Sequence, residues 1–81
     1  MTITITRTLD LKGLACPIPI VRTAQAMKQL VAGDVIEVLA TDPGSVKDFA
    51  AWSKATGNRV VEQTQGAGVY RFLLMKRGSA R

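Results

Sequence analysis

Thr2-Ile3-Thr4-Ile5-Thr6 alternates polar and apolar β-branched residues, a period of two that predicts a strand with Ile3 and Ile5 on one face. The strand can extend to Leu9 or Leu11, where Lys12-Gly13 gives a turn signal. From Pro17 to Val31 the period changes. Ile20, Ala24, Met27 and Val31 recur at helical spacing, flanked by Val21 and Leu30, and Gly33 follows as the expected C′ residue. Val35 to Ala40 reads as a strand with Ile36, Val38 and Ala40 on one face. Asp42-Pro43 predicts a second helix start, with Asp42 as cap and Pro43 in the first helical position. Val46, Phe49, Ala50 and Ser53 form that helix's inner stripe, with Trp52 at its edge, and Thr56-Gly57-Asn58 stops it. Arg59 to about Gln63 and Val69 to Lys76 are strands joined by a hairpin at Gly66-Ala67-Gly68. Tyr70, Phe72 and Leu74 share one face of the last strand.

The predicted order is βαβαββ. Two amphipathic helices and four strands bury their apolar faces most economically as a two-layer α/β (α+β) sandwich, a four-stranded mixed sheet with both helices on one face. A β-helix-β crossover to a parallel neighbour is expected to be right-handed. Residues 1–77 then form a single domain, and 78–81 a flexible C-terminal tail.

Cysteine usage sharpens this picture. The 81 residues include one Cys and no His. A zinc site of the usual kind, a Cys–His dyad and a Ser–His–Asp triad are all excluded within one chain. The lone thiol, Cys16, opens Cys16-Pro17-Ile18-Pro19, immediately before the first helical pattern. Pro is well tolerated at a helix start, so Pro17 is expected as the first helical residue and Cys16 as its N-cap. There the helix macrodipole favours thiolate. Pro19 has no N–H, which leaves Ile18 as the close donor to the sulfur. The two prolines chiefly stiffen the first turn. The alternative is a small buried cysteine with no chemistry, but such a residue needs no proline punctuation.

The net charge is +5. Lys12, Arg22 and Lys28 are candidates for docking an acidic partner surface. A nucleic-acid-binding or regulatory module is the competing function class. Aromatic residues make up only 5% of the chain and fall at core-like spacings, which leaves little for base stacking. The N-terminus has no long apolar run typical of a signal peptide, and no segment is long and apolar enough for a transmembrane helix. A free thiol without a targeting segment fits the reducing cytoplasm.

Leu9-Asp10 and Gly13-Leu14 leading into Cys16-Pro17-Ile18-Pro19, then Gly33-Asp34 and Asp42-Pro43, resemble at matching spacing the TusA (SirA-like) family of small sulfur carrier proteins. The resemblance covers roughly the whole chain. It implies the sandwich just described and a relay function. Cys16 would accept sulfane sulfur as a persulfide or thiosulfonate and pass it on, with Pro17 and Pro19 shaping the helix start and no separate cofactor. It also implies a donor such as a cysteine desulfurase or rhodanese, an acceptor such as a DsrE-type protein, and a monomer that docks on each in turn. Well-known tRNA-thiolation members have Arg before the motif and Glu between its prolines. Here those positions are Ala15 and Ile18, which makes the surface around the sulfur more apolar and leaves tRNA thiolation, sulfur oxidation and related trafficking open.

Overall fold

A computed structural model describes residues 4–15 and 17–78. The elements are β1 (Arg7–Leu11), α1 (Ile18–Met27), β2 (Val35–Ala40), α2 (Ser45–Thr56), β3 (Arg59–Gly66) and β4 (Val69–Met75). They form a single mixed sheet in the order β1-β2-β4-β3, with β1 parallel to β2 and the remaining pairs antiparallel. This is the predicted βαβαββ sandwich.

One sheet face is the core. Ile36, Val38 and Ala40 of β2 lie opposite Leu74, Phe72 and Tyr70 of β4, and Leu9 and Leu11 of β1 join the same side. Both helices cover this face, α1 through Ala26 and Met27 and α2 through Phe49 and Trp52. The Phe49 ring lies 4.6 Å from Phe72 and meets Trp52 edge-on at 6.0 Å. Trp52, expected at the edge of the stripe, is therefore a core residue, while Ala50, expected inside, is exposed. A fully buried Phe of this kind is worth about 3–5 kcal/mol against Ala.

The outer face is crossed by one polar chain. Thr8 Oγ1 donates to Glu37 Oε1 at 2.9 Å, Arg71 donates to the other Glu37 oxygen, and Arg71 also reaches Glu62 Oε2 at 3.1 Å. A β-bulge between Val60 and Glu62 makes the last link possible. It places Glu62 opposite Leu73, on the face that carries Arg71. In unbroken register Glu62 would instead have faced the core beside Phe72.

Several boundaries differ from the sequence pattern. The paired part of β1 begins at Arg7, because its partner β2 begins at Val35 and offers nothing earlier to pair with. Thr6 N–H still donates to Val35 O at 2.8 Å, Ile5 is exposed, and Ile3 lies outside the described residues. β3 runs past Gln63 to Gly66, since the tight turn at Ala67 (φ 53°) and Gly68 (φ 79°) keeps the strands paired to their ends. Of the expected tail at 78–81, Gly78 is exposed and 79–81 lie outside the described residues.

α1 stops at Met27 rather than Val31, and its buried stripe is Pro19, Thr23, Ala26 and Met27. Val21 and Val31 are exposed, and Ile20, Ala24 and Leu30 half-buried. After Met27 the chain tightens into i→i+3 bonds, Gln29 N–H to Ala26 O and Leu30 N–H to Met27 O. Lys76 Nζ takes up the Met27 and Leu30 carbonyls, and Asp34 Oδ2 the Val31 N–H. Gly33 (φ 90°) thus belongs to the link into β2, where its N–H donates to Lys76 O, and is not the helix C′ residue.

Candidate functional site at the start of α1

β1 and β2 are parallel, and each is followed by a helix. The starts of α1 and α2 therefore lie at the same end of the sheet, beyond the strands' carboxyl ends, where open α/β sheets commonly place their sites. The motif at 16–19 sits there. Cys16 itself lies outside the described residues, and the site is built from the residues on either side of it.

The approach to the motif is tied at several points. Lys12 N–H donates to Asp10 Oδ1 at 3.2 Å, and Leu14 N–H to Leu11 O at 3.3 Å. Gly13 (φ 85°) adopts the left-handed conformation this turn needs, which a side chain would strain. Its N–H donates to Thr41 Oγ1 at 2.8 Å, fastening the turn to the end of β2. Beyond the cysteine position, Ile18 N–H donates to Ala15 O at 3.0 Å. The residues on either side of the cysteine position are thus tied, Gly13 to the end of β2 and Ile18 to Ala15.

These bonds correct two sequence expectations. The N-cap of α1 is Pro17, not Cys16, and the helical prolines are reduced to Pro19, in the second position. The reason is local. Pro17 O accepts the first helical bond, from Val21 N–H at 3.1 Å, and ahead of it Ile18 N–H is already bonded back to Ala15 O. The donor expected for the sulfur, Ile18 N–H, is used by Ala15 O. A similar shift occurs at α2, whose N-cap is Gly44. Pro43 lies within a turn closed by Ser45 N–H on Asp42 O at 3.0 Å, the position that suits its fixed φ.

The surface around the motif is apolar. Ile18 and Val21 are 42% and 47% exposed, although a large aliphatic side chain ordinarily gains by burial. Beside them Pro17 and Ile20 face Ala51, Trp52 and Ala55 of α2 across a shallow groove, with Asp48 at its rim. Sequence reading missed Asp48. A methyl group on Gly44 would lie 3.4 Å from Asp42 Oδ2 and 3.8 Å from Asp48 Oδ2, so the two carboxylates converge at the α2 start. The motif's neighbourhood is therefore mixed in charge and not simply basic. The signal in the sequence was an acid in the first turn of a helix, but only the parallel strand pair shows that this turn lies beside the motif.

The three expected docking cations are not gathered together. Lys12 is in the turn before the motif, 4.0 Å from Asp10. Arg22 is one turn into α1 and faces β1. Lys28 caps the far end of α1, ten residues from Ile18, or about 15 Å along the helix. The aromatic side chains of Phe49, Trp52 and Phe72 are buried and unavailable for stacking on bases. Among the described residues, no group of His, Cys, Asp and Glu is placed to hold a metal ion, and no helix is long and apolar enough to cross a membrane.

Comparison with known proteins bears on this site. Residues 7–76 match the family described as Sulfurtransferase TusA. The chain is 49% identical over 70 residues to YrkI of Bacillus subtilis, covering 86% of this chain and 93% of that one. It is 47% identical over 68 residues to the sulfur carrier protein TusA of Allochromatium vinosum, covering 84% and 90%. In structure it is similar to a SirA-like protein from Desulfitobacterium hafniense, with a TM-score of 0.78 at 27% identity over 89% of this chain and 99% of that one.

Proposed function

The chain belongs to the TusA family, and from that membership and the construction of the α1 start we propose that it is a sulfur carrier acting through Cys16. In loading, the Cys16 thiolate attacks the outer sulfur of a donor persulfide. A Cys16–sulfur bond forms, the donor's S–S bond breaks, and the donor cysteine leaves as thiolate. In unloading, an acceptor thiolate attacks the outer sulfur on Cys16, and Cys16 leaves as thiolate. Both steps are thiol–disulfide-type exchanges without net oxidation, fastest for an attacking thiol whose pKa lies near ambient pH. They require no base within this chain, which has no His. The partner protein supplies the rest of each active site.

The observation that supports this reading is the tying of the residues on either side of Cys16, Gly13 to Thr41 and Ile18 to Ala15, set beside exposed Ile18 and Val21. A carrier must present its sulfur in a fixed place to more than one protein. An apolar collar excludes water when a partner closes over it, which strengthens the electrostatics of exchange. Lys12 and Arg22 lie near enough to the motif in sequence to steer an acidic partner; Lys28, at the far end of α1, does not share this role. The carrier acts as a cytoplasmic monomer and needs no cofactor beyond the sulfur it holds.

The test is intact mass after incubation with a cysteine desulfurase and cysteine, or with a rhodanese and thiosulfate, followed by a DsrE-type acceptor. A gain of one sulfur that a thiol reductant removes, absent in Cys16→Ser, is expected with the productive donor. A folded protein that gains none from either donor, or a Cys16→Ser variant that still passes sulfur on, refutes the reading.

A further inference from the structure

Among the described residues, the notch between edge strand β1 and helix α1 holds two arginines and no acid. Arg7, Leu9 and Leu11 lie on the helix side of β1, on the face that also carries Ile36, Val38 and Ala40. Arg22, Gln25 and Ala26 form one stripe of α1 at i, i+3 and i+4, and Gln29 lies in the turn just past the helix end. Together these residues line a cleft of about 220 Å³.

Its two ends are cationic and its middle is apolar. Arg7 Nη1 donates to Gln29 Oε1 at 3.2 Å, which fixes one guanidinium at the end where α1 finishes. β1 and α1 run in opposite directions here. Arg22, seven residues before Gln29 and about 10 Å along the helix, therefore enters from the other end. Between them the lining is Leu11 and Ala26, both buried, and half-buried Leu9. Gln25 and Gln29 add amide donors. Among the described residues that line the cleft there is no carboxylate. Neither Arg7 nor Arg22 has an acidic partner there.

We propose that this cleft binds a short polycarboxylate. One carboxylate is held at each guanidinium, with the Gln amides donating, and the hydrocarbon between the acid groups rests on Leu9, Leu11 and Ala26. Guanidinium suits carboxylate because its donors match the two oxygens. The apolar middle selects a carbon chain between the charges over a compact inorganic anion. The ligand is either a free di- or tricarboxylic acid or neighbouring acidic side chains of a peptide. The proposal does not rest on the sulfur chemistry and does not involve Cys16.

The test is titration of the isotopically labelled full chain at low ionic strength with tricarballylate, with hexaglutamate, and with sulfate matched for ionic strength. The readouts are the Arg Nε–H and Gln side-chain amide NMR signals. Saturable shifts centred on Arg7, Arg22, Gln25 and Gln29 are expected. Tricarballylate binding identifies a free ligand, and response to hexaglutamate alone identifies acidic side chains. Arg7→Gln and Arg22→Gln should each weaken binding about tenfold. Cys16→Ser, and Lys54→Gln on the exposed face of α2, should leave it unchanged. Shifts spread over all surface cations, equal weakening by Lys54→Gln, or sulfate binding as tightly as tricarballylate would each overturn the proposal.

Discussion

The Lys76 ammonium lies 2.9 Å from the Met27 carbonyl, closing at its far end the helix that starts at the cysteine motif. The same nitrogen is 2.6 Å from Leu30 O. α1 has no basic residue in its own last turn, so the cation that complements its dipole comes from the residue after β4, 49 positions along the chain from Met27. Lys76→Met keeps the length of the side chain and removes the charge. It is expected to cost about 1–2 kcal/mol, read as a lower urea midpoint with an unchanged slope. An unchanged midpoint would show that water serves those carbonyls equally well.

Glu37 gives the protein an acid limb. Its carboxyl is held below the ordinary value of 4.5, first by the hydrogen bond from Arg71 and then by that from Thr8, against the opposing effect of burial. A carboxylate whose folded pKa is depressed contributes stability that is present above the unfolded pKa. That stability is lost as pH falls through the folded one. Wild type should therefore lose stability as pH drops below about 4.5. In Glu37→Gln that part of the pH dependence should flatten, with lower stability at neutral pH because Arg71 keeps only Glu62. Parallel pH–stability curves for the two proteins would contradict the assignment.

Thr23 is completely buried against the core, and its hydroxyl has no hydrogen-bond partner among the described residues. Valine has nearly the same shape and no polar atom to desolvate. Thr23→Val should stabilise the fold by about 1 kcal/mol, seen as a higher thermal midpoint. Destabilisation would mean that a water or a neighbour satisfies this hydroxyl.

The stripe of α1 shows where sequence reading succeeds and where it stops. Element order, sheet class and the placement of Ile36, Val38, Phe72 and Leu74 in the core follow from period-two alternation, because a strand's faces are set by its own sequence. A helix has no such fixed reference. Val21 and Val31 belong to the apolar pattern of residues 17–31, yet both are exposed, while Thr23 is buried. The rotation of α1 is set by Pro19 packing inward and by Lys76 ending the helix early, and both are tertiary facts. The bulge at Val61 is invisible for a similar reason. Only the Glu37–Arg71–Glu62 chain shows why Glu62 must change faces. The motif itself was legible because its prolines act locally. The closeness of Asp48 to the motif was not, since Asp48 and Pro17 meet only through the parallel pairing of β1 with β2.

The exposed collar beside the motif allows the carrier reading to be probed without touching the thiol. Ile18 is 42% exposed and Val21 47%, so neither contributes greatly to the core. Ile18→Glu places a charge where a partner's surface must desolvate it, which costs binding energy. The variant should fold with a denaturation midpoint close to wild type. Alkylation of Cys16 by a small uncharged reagent should be little changed, because that reaction needs only access to the thiol. Loading by the productive donor protein should fall at least about tenfold, a loss of about 1.4 kcal/mol in the docked complex. If loading and alkylation fall together, the substitution acts on the thiol itself. If neither falls, the collar plays no part in docking.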